Sequence, residues 1–164
     1  MPKQYNIGVN RNVTVKRQDG ELVVIVEETG MDKKIIFTGK RWAQFLLMIP
    51  DIDNAVNQLM VRQYVSYNAH IGAGWYASVS TGVLCIDLRQ FYLNPVLGVR
   101  PTKKGIGLRL QEWTNFKAII PEISKRFPNA VSCFLQDDHQ NQEGFLRCNE
   151  CNPFHSQAPL NPII

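Results

Sequence analysis

The feature that most constrains the fold is an internal repeat at a spacing of 71 residues. The segments RWAQFLLMIPDID (residues 41–53) and EWTNFKAIIPEIS (residues 112–124) share Trp, Phe, Ile, Pro, an acidic residue and Ile in the same register. The same spacing pairs Lys33 with Lys104 further upstream. Self-similarity at a fixed spacing indicates two copies of one structural unit. Each copy is too small to bury much core alone, so the copies are expected to pack on each other.

Each copy is predicted to contain several strands followed by one helix, from β-branched runs, turn signals and then helical spacing of apolar residues. The predicted strands are 12–16, 21–28 and 33–38 in the first copy, and 61–71, 74–80, 83–93 and 106–110 in the second. The predicted helices are 42–60, which Pro50 should kink or split, and 111–127. Residues 94–101 (NPVLGVRP) are expected to form a long loop.

The predicted fold class is therefore α+β, with tandem ββββα repeats forming an intramolecular pseudo-dimer. The two helices should pack on each other, with two curved antiparallel sheets facing outward. The expected domains are a first repeat at 1–60, a second repeat at 61–127 and a tail at 128–164.

Charge is distributed unevenly along the chain, although the total is only +4. Residues 1–60 carry 8 basic and 7 acidic groups, residues 61–127 carry 9 and 3, and residues 128–164 carry 1 and 4. The second repeat therefore has a net charge of +6 between a nearly neutral repeat and an acidic tail. A local basic surface of this kind can recruit a polyanion.

The chain is expected to be soluble and intracellular, because no stretch approaches the ~18 apolar residues of a membrane span and the first residues lack the apolar core of a secretory signal. Its four cysteines are then expected to be thiols or metal ligands rather than disulfides. The sequence has no Gly-rich phosphate loop and no HExxH or GxSxG motif, so we expect a protein that is not an enzyme.

The segment VLCIDLRQFYLNPVLGVRPTKKGIGLRLQEW (residues 83–113) carries a family resemblance. Its IDLRQFY strand, NP…G…RP loop, KKGI step and helix-opening Trp113 resemble the core of the positive cofactor four family of single-stranded DNA-binding transcriptional coactivators. In the first repeat, residues 5–26 are similar to that family's opening strands and residues 50–59 to its helix end. Together the matches cover roughly residues 5–127, by the repeat.

The resemblance implies a four-stranded antiparallel sheet plus a helix, acting as a dimer whose sheets form grooves for single strands. In this chain both halves of that dimer would lie in one polypeptide. This tandem arrangement departs from the family, whose members usually have a single copy of the unit. The resemblance also implies that Tyr92 stacks on a base and that Arg100, Lys103 and Lys104 hold the backbone. Arg89 shares a strand with Tyr92, and because neighbouring side chains alternate, only one of Phe91 and Tyr92 should face the groove.

Further candidates for DNA contact come from the residue types alone, since cations bind phosphates and aromatic rings stack on bases. They are Arg109, Trp75 and Tyr76 in the second repeat, and Lys16, Arg17, Lys33 and Lys34 in the first. The first repeat has Glu27-Glu28-Thr29 where the second is aligned to have Gln90-Phe91-Tyr92, so we expect it to act mainly as a structural partner. Trp42 and Trp113 open equivalent helices and are expected to be packing anchors.

The tail contains five potential zinc ligands in the pattern C-x5-H-x8-C-x2-C-x3-H. Zinc takes four such ligands in a tetrahedron, which makes zinc a candidate cofactor. The alternative is that these cysteines are reduced thiols. The candidate ligands are Cys133, His139, Cys148, Cys151 and His155.

The sequence thus predicts sequence-tolerant binding of single-stranded DNA in transcription or replication. Expected partners are the DNA and transcription or replication proteins, with no membrane, and further self-association of the pseudo-dimer stays open. Localisation would be nuclear in a eukaryote or a virus of eukaryotes. Two alternatives remain: a protein-interaction module with decayed DNA grooves, and a zinc-containing replication accessory.

Overall fold

The computed structural model describes residues 2–127, 146–152 and 154. Two ββββα units follow each other, as the repeat predicts. The elements of the first are β1 (Lys3–Gly8), β2 (Arg11–Gln18), β3 (Glu21–Glu28), β4 (Lys34–Phe37) and α1 (Gly39–Met60). Those of the second are β5 (Ser66–Gly72), β6 (Trp75–Ser80), β7 (Cys85–Asn94), β8 (Gly98–Arg109) and α2 (Leu110–Ser124). The α+β class with two tandem repeats is confirmed.

Both sheets are antiparallel meanders, with the orders β1-β2-β3-β4 and β5-β6-β7-β8. Tight turns suit this order, because antiparallel neighbours need only short connections. In the β2–β3 turn, Asp19 and Gly20 both adopt positive φ (54° and 83°), which Asp and Gly tolerate better than other residues. Strand β2 alternates between buried inner and more exposed outer side chains, whereas in β3 the four residues from Val23 to Val26 are all buried.

An aromatic cluster joins the two helices. The ring centroids of Phe45 on α1 and Phe116 on α2 lie 5.8 Å apart, and those of Trp42 and Phe116 lie 6.1 Å apart. Trp113 completes the cluster from α2, 6.0 Å from Phe45. All four side chains are buried, which confirms that the two tryptophans anchor the core.

Each helix also lies against the sheet of the other repeat. Helix α1 contacts β5 and β6, and α2 contacts β1, where the Asn115 side-chain amide donates to the Ile7 carbonyl (2.9 Å). Strand β4 lies beside β8 at the junction of the sheets. Arg11 crosses this junction and donates to the Gly107 carbonyl (2.7 Å). The two repeats therefore share one hydrophobic core.

The pseudo-symmetry is imperfect where the helices meet. Trp113 Nε1–H donates to Asp53 Oδ1 (2.9 Å), which also accepts from Lys117 Nζ (2.8 Å). The equivalent residues of the other repeat, 71 positions away, are Trp42 for Trp113 and Ser124 for Asp53. The Trp42 indole N–H and the Ser124 hydroxyl are both buried and find no partner among the described residues. A buried polar group without a partner costs about 1–3 kcal/mol, so the first repeat's tryptophan is less well satisfied than the second's.

Two predictions of local structure need correction. Pro50 was expected to kink or split its helix, and the split does not occur: α1 is one helix from Gly39 to Met60, because packing of its apolar side on the shared core outweighs one missing backbone hydrogen bond. The predicted loop 94–101 is mostly strand, since β8 begins at Gly98. Its short turn is closed by Asn94, whose Oδ1 accepts from the backbone N–H groups of Val96 and Leu97 (both 2.9 Å).

The start of the second sheet also differs from the prediction. The strand expected at 61–71 begins only at Ser66, because α1 extends to Met60 and Arg62 then turns the chain with a positive φ of 65°.

Among the described residues, no helix combines the length and the apolar character needed to cross a membrane.

Candidate nucleic-acid interface

The outer face of the second sheet, turned away from the helices, carries three aromatic side chains in contact. The centroids of His70 and Tyr76 lie 5.2 Å apart, and those of Tyr76 and Phe91 lie 4.8 Å apart. All three are only half-buried. We call His70, Tyr76 and Phe91 the aromatic platform. Half-exposed rings on a sheet face are the surface that proteins use to stack on the bases of single strands.

His70 contributes to the platform as a neutral ring. Burial lowers the pKa of His70 to about 4, and its Nε2 accepts a hydrogen bond from the backbone N–H of Gly74 (3.3 Å). The imidazole is therefore uncharged at pH 7 and acts as an aromatic surface rather than as a cation.

Ordinary alternation along β7 decides which ring faces the platform, although the β7–β8 ladder is irregular at this point. Arg89 pairs with Gly105, but Phe91 pairs with Pro101, so β8 carries extra residues between these pairs. Phe91 turns toward Tyr76, whereas Tyr92 follows on the opposite side of the strand, across from Arg100. Neither Phe91 nor Tyr92 belongs to the buried core, so the expectation that one of them is core was wrong. Phe91 lies on the same face as Arg89, because the extra residues are on β8 and leave the alternation of β7 unchanged.

The cations near the platform fall into two groups. Arg89, which pairs with Tyr76 across the strands, is held by Asp87 through two hydrogen bonds (2.9 and 3.0 Å) and donates to the Thr102 carbonyl (3.1 Å). The hydrogen bond that Arg89 donates to Asp87 raises the pKa of Arg89. The side chains of a second group are exposed, and no carboxylate in the described part of the chain pairs with them. This second group comprises Arg100, Lys103 and Lys104 on β8.

Two predicted contacts lie away from the platform. Arg109 directly precedes α2, where its backbone N–H donates to Glu112 Oε1 (2.9 Å) and its side chain is exposed. Trp75 shares the inner side of β6 with Ala77 and packs partly on the core. Its indole also lines a cleft between the two halves, so it does not extend the platform.

This cleft between the halves, which we call the inter-half cleft, has a volume of about 590 Å³. Trp75 and Lys104 contribute to it from the second repeat. Val23, Ile36 and Lys34 line it from the outer face of the first sheet. The structure therefore separates Trp75 and Lys34, predicted as part of one DNA-binding set, from the rings of the platform, while Lys104 borders both the cleft and the second sheet.

The first sheet carries different chemistry at the positions of the platform. Asn12 pairs with Glu27 in the first sheet as Tyr76 pairs with Arg89 in the second. An acidic residue thus stands in the place of the arginine. The full row across the first sheet is Asn6, Asn12, Glu27 and Lys34, and the row across the second is His70, Tyr76, Arg89 and Gly105.

The third ring of the platform is also absent from the first repeat. The strand register makes Glu27 the equivalent of Arg89 and Thr29 the equivalent of Phe91. The sequence-based prediction that residues 27–29 correspond to residues 90–92 is therefore wrong by one position. Asn12 Nδ2 donates to Thr29 Oγ1, where Tyr76 contacts Phe91 in the second sheet. An amide–hydroxyl pair therefore replaces a pair of aromatic rings.

The predicted cations of the first repeat do not converge on one surface. Lys16 and Arg17 line a separate hollow with Arg126, and Arg17 donates to the Gly20 carbonyl (3.2 Å). Lys33 forms a long ion pair with Glu28 (3.9 Å). Lys34 lies in the inter-half cleft.

The predicted zinc ligands can be followed only in part. Cys133, His139 and His155 lie outside the described residues. Cys148 is half-buried and Cys151 is buried. Within the described ranges no group of three or more His, Cys, Asp or Glu side chains is placed to hold a metal ion. The zinc site therefore stays a prediction.

Comparison with known proteins finds a similarity over part of the chain. No protein-family model matches the chain. The chain is 38% identical over 60 residues to a protein named "Putative RNA polymerase II transcriptional coactivator" from Caenorhabditis elegans. The match covers 35% of this chain and 48% of that protein, so the chain spans about half the length of the curated relative it matches. This similarity is consistent with the resemblance to a coactivator family.

Proposed function

We propose that the chain binds single-stranded DNA along the outer face of its second sheet, with little preference for sequence. The observation that carries this proposal is the contact of His70, Tyr76 and Phe91 beside Arg89 on one exposed face. Stacking on such rings is worth about 1–3 kcal/mol per base and tolerates every base, because all bases have a π-face.

The charge distribution supports the same surface. Arg100, Lys103 and Lys104 project from the strand that borders the platform, and the second repeat carries the chain's excess of positive charge. Cations that neutralise phosphates release bound counterions, which makes the affinity dependent on salt. Rings and exposed cations together supply the two interactions that hold a single strand.

In this proposal the first repeat is mainly a structural partner. Glu27 repels phosphate where Arg89 would attract it, and Asn12 offers no ring. The first repeat still contributes helix α1 and half of the aromatic core, without which the second sheet would lack its packing partner.

The biological role that we infer is a non-enzymatic one, in which the protein protects or presents unwound DNA during transcription. The relative from C. elegans is named as a transcriptional coactivator, which supports transcription over replication. The expected partners are single-stranded DNA and proteins of the transcription machinery, and the expected location is intracellular, nuclear in a eukaryote.

Exchanging Lys103 and Lys104 together for alanine tests the electrostatic part of the proposal. Binding of a fluorescent oligo-dT is measured by anisotropy over a salt series, with a duplex of the same length as competitor. We expect preference for the single strand, and a slope of log K against log[salt] that falls by about 0.7 per lost phosphate contact, hence by about 1.4 for both lysines.

A charge-matched control is the pair Lys3→Ala and Lys125→Ala, because these lysines lie on β1 and at the end of α2, away from the platform. This control should leave the slope unchanged. Equal affinity for single strand and duplex, together with an unchanged slope in the Lys103/Lys104 variant, would refute the proposal.

One observation favours a second function, docking of a protein partner. The β7–β8 turn presents Val96 and Leu97 to solvent with 88% and 59% of their surfaces exposed, on a backbone that Asn94 fixes. An ordered turn with exposed apolar side chains is typical of an interaction site. A chain that bound no oligonucleotide but captured a transcription protein through this turn would support this second function.

A further inference from the structure

A short segment of the tail folds back onto the body of the protein. Residues 146–152 are closed by two hydrogen bonds of Asn152, from its backbone N–H to the Cys148 carbonyl and from its side chain to the Leu146 carbonyl (both 2.8 Å). Cys151 of this segment is buried. Glu150 reaches Arg41 in the first turn of α1, with 3.7 Å between Oε1 and Nε. We call residues 146–152 the clasp.

The repeat explains why Arg41 takes a partner from the tail. Its equivalent in the second repeat is Glu112, which lies against Gly8 and forms an ion pair with Arg11 (3.8 Å). Arg41 lies in the same way against Gly72, at the other β-turn. However, Trp75 stands there in the place of Arg11, so that turn offers Arg41 no charged partner. The carboxylate comes instead from Glu150 of the clasp.

The ion pair between Glu150 and Arg41 is poorly satisfied. At 3.7 Å it is longer than a charge-assisted hydrogen bond, which is ~2.7–2.9 Å. The second carboxylate oxygen of Glu150 is buried and has no partner among the described residues. Burial raises the pKa of Glu150, against the opposing effect of Arg41 and Lys40, and burial also lowers the pKa of Arg41. Both groups thus lose hydration for a weak contact, and a better anion can displace the carboxylate.

Arg41 also lines the inter-half cleft, so the clasp and the cleft share one guanidinium. Trp75 forms one wall, and Lys34 and Lys104 are exposed beside it. Thr38, the N-cap of the 22-residue helix α1, lines the cleft as well, so the positive end of the helix dipole faces it. The acidic residues of the lining, Asp19, Glu21 and Asp32, lie on exposed connections between strands and at the start of β3.

We propose that Glu150 acts as an intramolecular competitor of nucleic-acid phosphate at Arg41, and so closes a second anion site in the inter-half cleft. This inference rests on the proposed single-strand binding. While the clasp is in place, the strand is confined to the second sheet. Displacement of Glu150 frees Arg41 and extends the interface past Trp75 into the cleft.

Removing the carboxylate of Glu150 tests this competition. Salt titrations with oligo-dT are compared for the wild-type chain, Glu150→Gln and Glu150→Ala, which leaves no acceptor at all. Each variant should bind more tightly and gain one phosphate contact, seen as a salt slope steeper by about 0.7. Glu122→Gln is the matched control, because it changes the net charge equally but breaks an exposed ion pair between α2 and Lys3 on β1. Its slope should equal that of the wild type.

Two further variants identify the site. Adding Arg41→Gln to Glu150→Gln should restore the wild-type slope, because the released guanidinium is then missing. The indole N–H resonance of Trp75, assigned with Trp75→Phe, should shift on addition of oligo-dT in Glu150→Gln and remain nearly unchanged in the wild type. Equal slopes for Glu150→Gln, Glu150→Ala and Glu122→Gln, with no shift of Trp75, would overturn the inference.

Failure of the proposed function gives a different result. If no variant binds oligo-dT, single-strand binding is refuted, and the cleft is then examined with sodium tripolyphosphate. A Trp75 shift with tripolyphosphate that requires loss of the Glu150 carboxylate supports the competition at Arg41 on its own, and absence of that shift refutes it.

Discussion

Replacing either Tyr76 or Phe91 by alanine is expected to weaken the binding of single-stranded oligo-dT by about 5- to 150-fold, which corresponds to about 1–3 kcal/mol per stacked base. The two rings are in contact at 4.8 Å, so truncating one also exposes the edge of the other. Fluorescence anisotropy at constant salt measures the loss. Because the rings contact no phosphate, the salt slope should remain that of the wild type.

The pseudo-symmetry of the chain supplies the control for this prediction. Asn12 and Thr29 occupy the same two positions of the first sheet and contact each other through a hydrogen bond instead of through rings. Asn12→Ala and Thr29→Ala should change the affinity less than twofold. Losses of similar size in both sheets would show that the first repeat binds DNA as strongly as the second, contrary to the proposed division of roles.

Replacing Phe45 by alanine is expected to lower the free energy of unfolding by about 3–5 kcal/mol, the usual cost of deleting a large buried ring. Phe45 lies at the centre of the shared core. Its ring contacts Phe37 of the first sheet at 4.9 Å, and Trp113 and Phe116 of the opposite helix at 6.0 and 5.8 Å. The cavity would therefore weaken both repeats together. Urea unfolding followed by circular dichroism measures the change.

Leu47 on the same helix is the comparison for Phe45, because 55% of its surface is exposed. Leu47→Ala should change the free energy of unfolding by less than about 1 kcal/mol, since little apolar surface is buried there. A single transition is expected in both variants because the core is shared. Two separate transitions would show that the repeats unfold independently.

The fold could be predicted from the sequence because the repeat restricts the choices. Once Trp42 and Trp113 are recognised as equivalent, each strand and helix is supported by two segments rather than one. The split that was one expected effect of Pro50 does not occur, because the packing of the helix outweighs the local loss of one hydrogen bond. The turn at Asn94 was missed as well, since Gly and Pro in a short stretch are typical of loops and of tight hairpins alike.

The candidate site could be predicted only in its general character. The sequence indicated the second repeat, from its charge, and named Arg89, Lys103 and Lys104. It favoured Tyr92, whereas Phe91 faces Tyr76, because Phe91 lies two residues after Arg89, the partner of Tyr76 across the sheet. His70 was not identified, because a single histidine in a strand carries no signal until its neighbour across the sheet is known.

The contact between Arg41 and Glu150 lay beyond any sequence argument. The two residues are more than a hundred positions apart, and the tail falls outside the repeat. Only the comparison of equivalent positions in the structure shows that Arg41 meets no charged partner at the Gly72 turn, whereas Glu112 meets Arg11 at the Gly8 turn.

The most direct test of the central claim is the location of the bound strand. Oligo-dT containing 5-iododeoxyuridine is cross-linked to the wild-type chain by light, and the attached residues are identified by mass spectrometry. The account predicts cross-links to His70, Tyr76 and Phe91 on the outer face of the second sheet. Cross-links concentrated on the outer face of the first sheet, or on the β7–β8 turn alone, would contradict it.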